Sequence, residues 1–270
     1  MGNDTQPIKV RHYGDSGPFV IVLHGGPGAP GYMKPVAMEL AGQFRVLEPF
    51  QRGSSAEPLT VARHVQDLQD VTETYCGDDK PILVGHSWGA MLALAWAAEH
   101  PGAAKAIVLV GCGTFDAASR KQIEIIRQRR MNEPFRKRLE QLPRKYPNPN
   151  TRLAVLGGLY QQLDSVDLID VKNHLHGCDA RAHEQTWADI VRLQSEGVYP
   201  AALAAIRCPV LMLHGDDDSH PGTMIHDSLK PFLPQLEYVS WPHCGHYPWL
   251  EKTAQSPFYT TLTRWLKAIP

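Results

Sequence analysis

The sequence predicts an α/β protein: a mostly parallel, doubly wound sheet with a helical cap inserted between two of its strands. The first observation is a series of short apolar runs rich in Val, Ile and Leu, which are typical of strands buried on both faces of a parallel sheet. The second is that helical patterns separate several of these runs, as in proteins whose strands and helices alternate. The third is that this alternation stops over residues 115–205, where only helical patterns occur.

Two of the helical patterns are well defined. Val61, Val65 and Leu68 fall on one face of a helix. Residues 91–100 are rich in Ala and Leu and are followed by Pro101, which cannot continue a helix. The apolar runs that we interpret as strands occupy residues 19–23, 45–48, 81–84, 106–110, 209–213 and 236–239.

These patterns predict a core domain over residues 1–114 and 206–270 and a helical cap over residues 115–205. The composition fits a globular protein, because 43% of the 270 residues are hydrophobic and 20% are charged. Lys and Arg total 27 and Asp and Glu total 28, a formal net charge of -1. Such a chain has no strong field that would attract nucleic acid or an anionic membrane, so we expect neither as a partner.

The chain starts with a polar segment that lacks the pattern of a signal peptide. No apolar run reaches the roughly 18 residues of a membrane span. The five cysteines are widely scattered, which without a secretion signal favours free thiols in a reducing compartment. We therefore expect a cytoplasmic protein.

A serine nucleophile is predicted by the segment Gly-His-Ser-Trp-Gly at residues 85–89, which matches G-x-S-x-G. The segment lies between a predicted strand and a predicted helix, and this is the context that the motif requires. Ser87 must sit on a tight, strained turn that lifts its hydroxyl above the sheet, and Gly85 and Gly89 allow neighbouring backbone to come close. A chance match in a loop is the alternative, which the strand and the helix disfavour.

An oxyanion hole is predicted from the segment His-Gly-Gly-Pro-Gly at residues 24–28, directly after the first long apolar run. Acyl transfer builds negative charge on a carbonyl oxygen, and fixed backbone N–H groups stabilise that charge. One donor is expected from Trp88, the residue after the nucleophile, and the other from Gly26. Pro27 stiffens the turn. An ordinary Gly/Pro turn is the alternative.

Three adjacent aspartates follow the predicted strand at residues 209–213. We select Asp218 as the catalytic acid, because three residues after Gly215 the loop turns a carboxylate back over the sheet. Asp216 and Asp217 are then expected to be exposed. Asp116, which follows the preceding strand, is a more distant alternative.

The general base is predicted to be His246, which follows the last strand run. An imidazole there can take the proton of Ser87 and return it to the leaving group. The neighbouring His243 is the competitor, but Gly245 favours a tight loop that presents His246. The resulting order along the chain is serine, aspartate, histidine.

Other chemistries have weaker signals. His174, His176, Cys178 and His183 match no zinc-binding spacing, and no nucleotide-binding glycine pattern occurs. We expect no metal and no cofactor. Residues 120–145 hold ten Lys and Arg against three Glu. A solvated helix face is the simpler interpretation of this run, and attraction of an anionic substrate is the alternative.

The segments at residues 24–28, 51–55 and 85–89, together with Asp218 and His246, resemble the α/β-hydrolase superfamily, and within it the proline iminopeptidase branch. The resemblance covers residues 8–114 and 206–268. It implies a serine hydrolase that cleaves a small ester or amide, including an N-terminal proline peptide, through an acyl-enzyme intermediate. The chain departs from the branch at two positions: Phe50 stands where an Asp is usual, and His86 stands where a Gly is usual.

The resemblance also implies a substrate site in the cap, where iminopeptidases hold the substrate amine with carboxylates. Glu184 and Asp189 are the candidates here, and Trp187 and Tyr160 are candidates to line the pocket or to pack within the cap. The partner is expected to be a small molecule or short peptide, and the oligomeric state is not indicated. A carboxylesterase-like enzyme without peptidase activity, a non-hydrolytic lyase or oxygenase, and a ligand receptor remain alternatives.

Overall fold

The computed structural model describes residues 8–169 and 177–270, which contain a seven-stranded sheet. The strands are β1 Val10–Tyr13, β2 Phe19–Leu23, β3 Arg45–Pro49, β4 Ile82–His86, β5 Ala106–Val110, β6 Val210–Gly215 and β7 Leu236–Trp241. Their order in the sheet is β1-β3-β2-β4-β5-β6-β7. Strand β1 pairs antiparallel with β3, and the other neighbours pair in parallel.

The helices cover both faces of this sheet. They are α1 Lys34–Leu40, α2 Val61–Cys76, α3 Trp88–Glu99, α4 Ala117–Arg130, α5 Glu133–Lys145, α6 Pro149–Leu163, α7 Ala180–Ser195, α8 Gly222–Leu229 and α9 Gln255–Ala268. Because successive strand residues point to opposite faces, Ile21 packs in one core cluster with α2 and α3, whereas Val20 and Val22 pack in a second cluster with α1 and α9. Burial on both sides explains why these strands are uninterrupted apolar runs.

The predicted helical cap between two strands is confirmed. Between β5 and β6 the described chain forms α4 to α7 and a short 3₁₀ helix, Ala201–Ala205, and contributes no strand to the sheet. The residue before helix α4, Asp116, is its N-cap, and the Asp116 carboxylate accepts a hydrogen bond from the Ser119 backbone N–H at 2.8 Å. The alternative acid Asp116 is therefore a helix cap. The domain boundaries at residues 115 and 205 stay a prediction.

All six predicted strands are present, but β1 was not predicted. It is an edge strand of four residues, Val-Arg-His-Tyr, of which none is fully buried. A strand without two buried faces carries no apolar run, so the pattern that identified the others does not apply. Among the described helices, none combines the length and the apolar character that crossing a membrane requires.

Candidate active site

Ser87 occupies a strained turn between the end of β4 and the start of α3. Its backbone has φ 54° and ψ -117°, a left-handed conformation that non-glycine residues rarely adopt. A Cβ at Gly85 would lie 2.3 Å from the Gly89 carbonyl oxygen, and a Cβ at Gly89 would lie 2.3 Å from the Leu23 carbonyl oxygen. The two glycines are therefore needed for the close approach that the sequence motif predicts.

Asp218 and His246 are joined directly. The Asp218 Oδ2 atom accepts a hydrogen bond from His246 Nδ1 at 2.6 Å, and both residues are buried. Burial acts to raise the pKa of Asp218, but the facing histidines, His246 first, hold it well below its usual range. Asp216 and His243, by contrast, are exposed.

Two further histidines, which the sequence analysis missed, bind the same carboxylate. His220 contacts Asp218 Oδ1 twice, through its backbone N–H at 2.8 Å and its ring Nδ1 at 2.9 Å. His214 Nε2 lies 3.2 Å from Asp218 Oδ2. The ring of His220 is nearly parallel to that of His246, with centroids 4.1 Å apart and an interplanar angle of 17°. Asp218 is thus a buried carboxylate surrounded by imidazoles.

Asp218, His220 and His246 place potential metal-ligand atoms within 4.8 Å of one another, the one such group among the described residues. Their hydrogen bonds to the carboxylate already account for this proximity, because both ring Nδ1 atoms donate to Asp218. The absence of a metal in the mechanism stays a prediction. Two of the cap histidines considered above, His174 and His176, lie outside the described residues.

A hydrogen-bond chain connects the oxyanion loop, the serine turn and the histidine loop. The Gly25 N–H donates to the Tyr32 hydroxyl at 2.6 Å, so that hydroxyl uses its single proton to donate to His86 Nδ1 at 2.7 Å. His86 Nε2–H then donates to the His246 carbonyl at 3.0 Å. Burial, followed by the charge of His246, lowers the pKa of His86 well below that of an ordinary histidine. The ring is therefore neutral, as this chain of donors requires.

The loop that holds Gly26 packs against the serine turn through the neighbouring Gly25. Gly26 has φ +47°, and a Cβ at Gly25 would lie 2.7 Å from the Ser87 Cβ. The indole of Trp88 donates to Gln51 Oε1 at 2.7 Å, which fixes the start of α3 against the loop that follows β3. Gly26, Ser87 and Trp88 line one cavity.

That cavity has a volume of about 880 Å³ and lies between the core and the cap. His220 and His246 line it from the core, and the predicted pocket residues Tyr160 and Trp187 line it from the cap. The guanidinium of Arg127 lies over the Tyr160 ring, 4.4 Å from the ring centroid.

The predicted cap carboxylates, Glu184 and Asp189, are not among the residues that line the cavity, and their role as substrate ligands stays a prediction. Asp189 accepts hydrogen bonds from the Val61 N–H at 2.8 Å and from Arg192 at 2.7 Å. It therefore fastens α7 to the first turn of α2. Glu184 is exposed and does not line the cavity. The carboxylate groups that do line it belong to Glu124 and Asp164.

Comparison with known proteins places these features in a family. A model of the Alpha/beta hydrolase family matches residues 20–255, and the chain therefore belongs to that family. The solved structure of VinJ has a TM-score of 0.69 at 18% identity and covers 97% of this chain and 95% of its own. This likeness confirms the predicted α/β-hydrolase fold.

The curated relatives match over shorter segments. "Probable aminopeptidase YbaC" of Bacillus subtilis (strain 168) is 32% identical over 114 residues, 37% of this chain and 36% of that protein. A proline iminopeptidase of Thermoplasma volcanium is 27% identical over 164 residues, 58% of this chain and 51% of that protein. The matches thus span about a third to about half of these relatives' lengths, and the resemblance to the iminopeptidase branch is confirmed at this level.

Proposed function

We propose that this protein is a serine hydrolase that cleaves an ester or amide bond through an acyl-enzyme intermediate. Ser87 is the nucleophile, His246 the general base and Asp218 the residue that orients the base. The observation that carries the proposal is a strained serine turn and a 2.6 Å aspartate–histidine hydrogen bond on the lining of one cavity.

The geometry supports a defined sequence of proton transfers. Because Asp218 is ionised, its oxygen can only accept, so His246 carries its proton on Nδ1 and has a free electron pair on Nε2. Nε2 takes the hydroxyl proton as Ser87 Oγ attacks the carbonyl carbon, and the imidazolium then returns that proton to the leaving group. The N–H groups of Gly26 and Trp88 stabilise the developing oxyanion. Water repeats the sequence on the acyl-enzyme and releases the acid.

The lining of the cavity favours a carboxylesterase-like enzyme over an aminopeptidase. A buried substrate ammonium without a partner would be strongly unfavourable, and Asp164 is already paired with Arg127 and Ser219. Glu124 is the other carboxylate of the cavity, and it is exposed. The second candidate, cleavage of an N-terminal proline, is supported by the relatives named as aminopeptidase and iminopeptidase, and it would need Glu124 to meet the amine.

The test combines covalent labelling with a substrate panel. A fluorophosphonate probe should label the wild-type protein, and Ser87→Ala should abolish labelling and turnover. Ser195→Ala, at an exposed serine of α7, is the matched control and should change neither. The panel compares p-nitrophenyl esters with proline and alanine arylamides. Full labelling of Ser87→Ala would refute the assignment, and hydrolysis of arylamides in preference to esters would favour the second candidate.

A further inference from the structure

We propose that His220 is a second imidazole of the active site that accepts a hydrogen bond from a hydroxyl or N–H group of the substrate, next to the scissile carbonyl. The inference rests on the proposed function, because it takes His246 as the base that acts on Ser87. It assigns a substrate class: acyl groups that carry such a donor on carbon 2 or 3.

The tautomer of His220 follows from its contact with Asp218. An ionised carboxylate oxygen has no proton to give, so the ring Nδ1, 2.9 Å away, must be the donor. The backbone N–H of His220 donates to the same oxygen at 2.8 Å, and its carbonyl accepts from His214 Nε2 at 2.9 Å. The residue is therefore held in place, with its electron pair on Nε2.

That Nε2 atom faces the cavity. His220 lines the cavity, and Nε2 neither bonds to a described residue nor belongs to the buried polar atoms that lack a partner. The rings of His220 and His246 are stacked 4.1 Å apart and both direct Nδ1 to Asp218. Both histidines line the cavity that Ser87 also lines, so a substrate bound at Ser87 occupies the same space that His220 Nε2 faces.

His220 is an acceptor rather than a cation at neutral pH. Burial, and then the charge of His246, lowers its pKa to about 4. A neutral ring with its electron pair on Nε2 cannot pair with a substrate carboxylate, but it does bind an O–H or N–H donor. An acyl group that lacks the donor leaves this nitrogen without a partner once water is displaced. The missing hydrogen bond lowers kcat/KM for that acyl group relative to one that carries the donor.

The experiment uses two ester pairs in which a methyl group replaces the hydroxyl. They are methyl lactate with methyl isobutyrate, and methyl 3-hydroxybutyrate with methyl 3-methylbutanoate. Hydrolysis is followed by proton release, and the readout is the ratio of kcat/KM within each pair. Comparing that ratio between variants cancels the intrinsic reactivity of the esters.

His220→Asn keeps an N–H donor at the position of Nδ1 but removes the acceptor at Nε2. It should reduce the hydroxy-ester preference of at least one pair about tenfold, the value of one hydrogen bond. His220→Gln places an amide oxygen near the Nε2 position and should recover part of the preference. His226→Asn, at a histidine outside the cavity, should leave the ratio unchanged.

Two results would overturn the inference while leaving the proposed function intact. The first is an unchanged ratio in His220→Asn for both pairs. The second is an equal loss on both members of each pair, because a residue that only positions Asp218 would affect all esters alike. Absence of fluorophosphonate labelling in the wild-type protein would instead overturn the proposed function, and this inference with it.

Discussion

The free energy of unfolding should fall steeply between pH 7 and pH 5, because several histidines are buried in the neutral form. Burial lowers the pKa of His24 to about 4 and that of His64 to about 3, and burial with the charge of His246 lowers that of His220 to about 4. The unfolded chain binds a proton at each of these positions near pH 6.5, whereas the folded chain does not.

The sign and size of the effect follow from this difference. When folding lowers the pKa of a histidine, its contribution to stability is complete above the pKa of the unfolded chain. That contribution is lost as the pH falls toward the pKa of the folded chain. At pH 5, which is 1.5 units below 6.5, each such histidine costs about 2 kcal/mol, so the three together cost about 6 kcal/mol. His214 opposes the trend: burial acts to lower its pKa, but Asp218 raises it above the ordinary value.

His64→Gln isolates one of these contributions away from the proposed chemistry. His64 Nε2 lies 2.9 Å from the Thr186 hydroxyl, and a glutamine amide can make a similar hydrogen bond without titrating. The variant should take up about one proton fewer than wild type on unfolding. The slope of its unfolding free energy against pH should therefore be smaller by about 1.4 kcal/mol per pH unit below pH 6. Urea unfolding at pH 5, 6, 7 and 8 measures the slope.

The control is His12→Gln, at an exposed histidine, which should leave the slope at the wild-type value. The reasoning would be refuted if His64→Gln and wild type lost stability in parallel over this pH range. A parallel loss would mean that His64 binds a proton equally well in the folded and unfolded states.

Three further predictions test the site. Asp218→Asn should lower kcat by roughly 10⁴-fold, as loss of the orienting carboxylate does in serine proteases. Asp216→Asn should have little effect on kcat. Comparable losses of kcat in the two variants would contradict the choice of Asp218 as the acid. Gly85→Ala should destabilise the fold by about 3 kcal/mol or more in a thermal-unfolding assay, because its Cβ would lie 2.3 Å from backbone. Gly157→Ala, whose Cβ would lie in open space on α6, is the control and should be neutral or stabilising in that assay. Tyr32→Phe should lower the free energy of unfolding by about 1–3 kcal/mol, since it leaves the buried Gly25 N–H and His86 Nδ1 without partners. Unchanged stability of this variant would argue against the hydrogen-bond chain.

The sequence identifies features that depend on local pattern. Strands β2, β4, β5 and β6 are buried on both faces, so each is visible as an apolar run. The serine turn is visible because the glycines that flank Ser87 are needed where strand, turn and helix meet. These steric requirements act within a few residues, and a single sequence therefore contains them.

The cap shows where local pattern is insufficient. His183 and Trp187 are four residues apart and both line the cavity. Asp189 is two residues further along the same helix, about 200° around it, and so points away. Periodicity gives the relative faces of a helix but not which face meets the core. His220 was missed for a related reason, because its position depends on the path of the loop after Asp218, which no period describes.

Asp164 connects the cap to the loops that carry Asp218 and His246. This residue ends α6, and its buried carboxylate accepts from Arg127 of α4 and from the Ser219 hydroxyl, next to Asp218, at 2.6 Å. Its backbone carbonyl accepts from the His246 N–H at 2.8 Å. A single cap residue therefore holds both the loop of the acid and the loop of the base. Displacement of the C-terminal end of α6 would disturb the geometry of both loops, so the cap supports the residues proposed to react as well as lining the cavity.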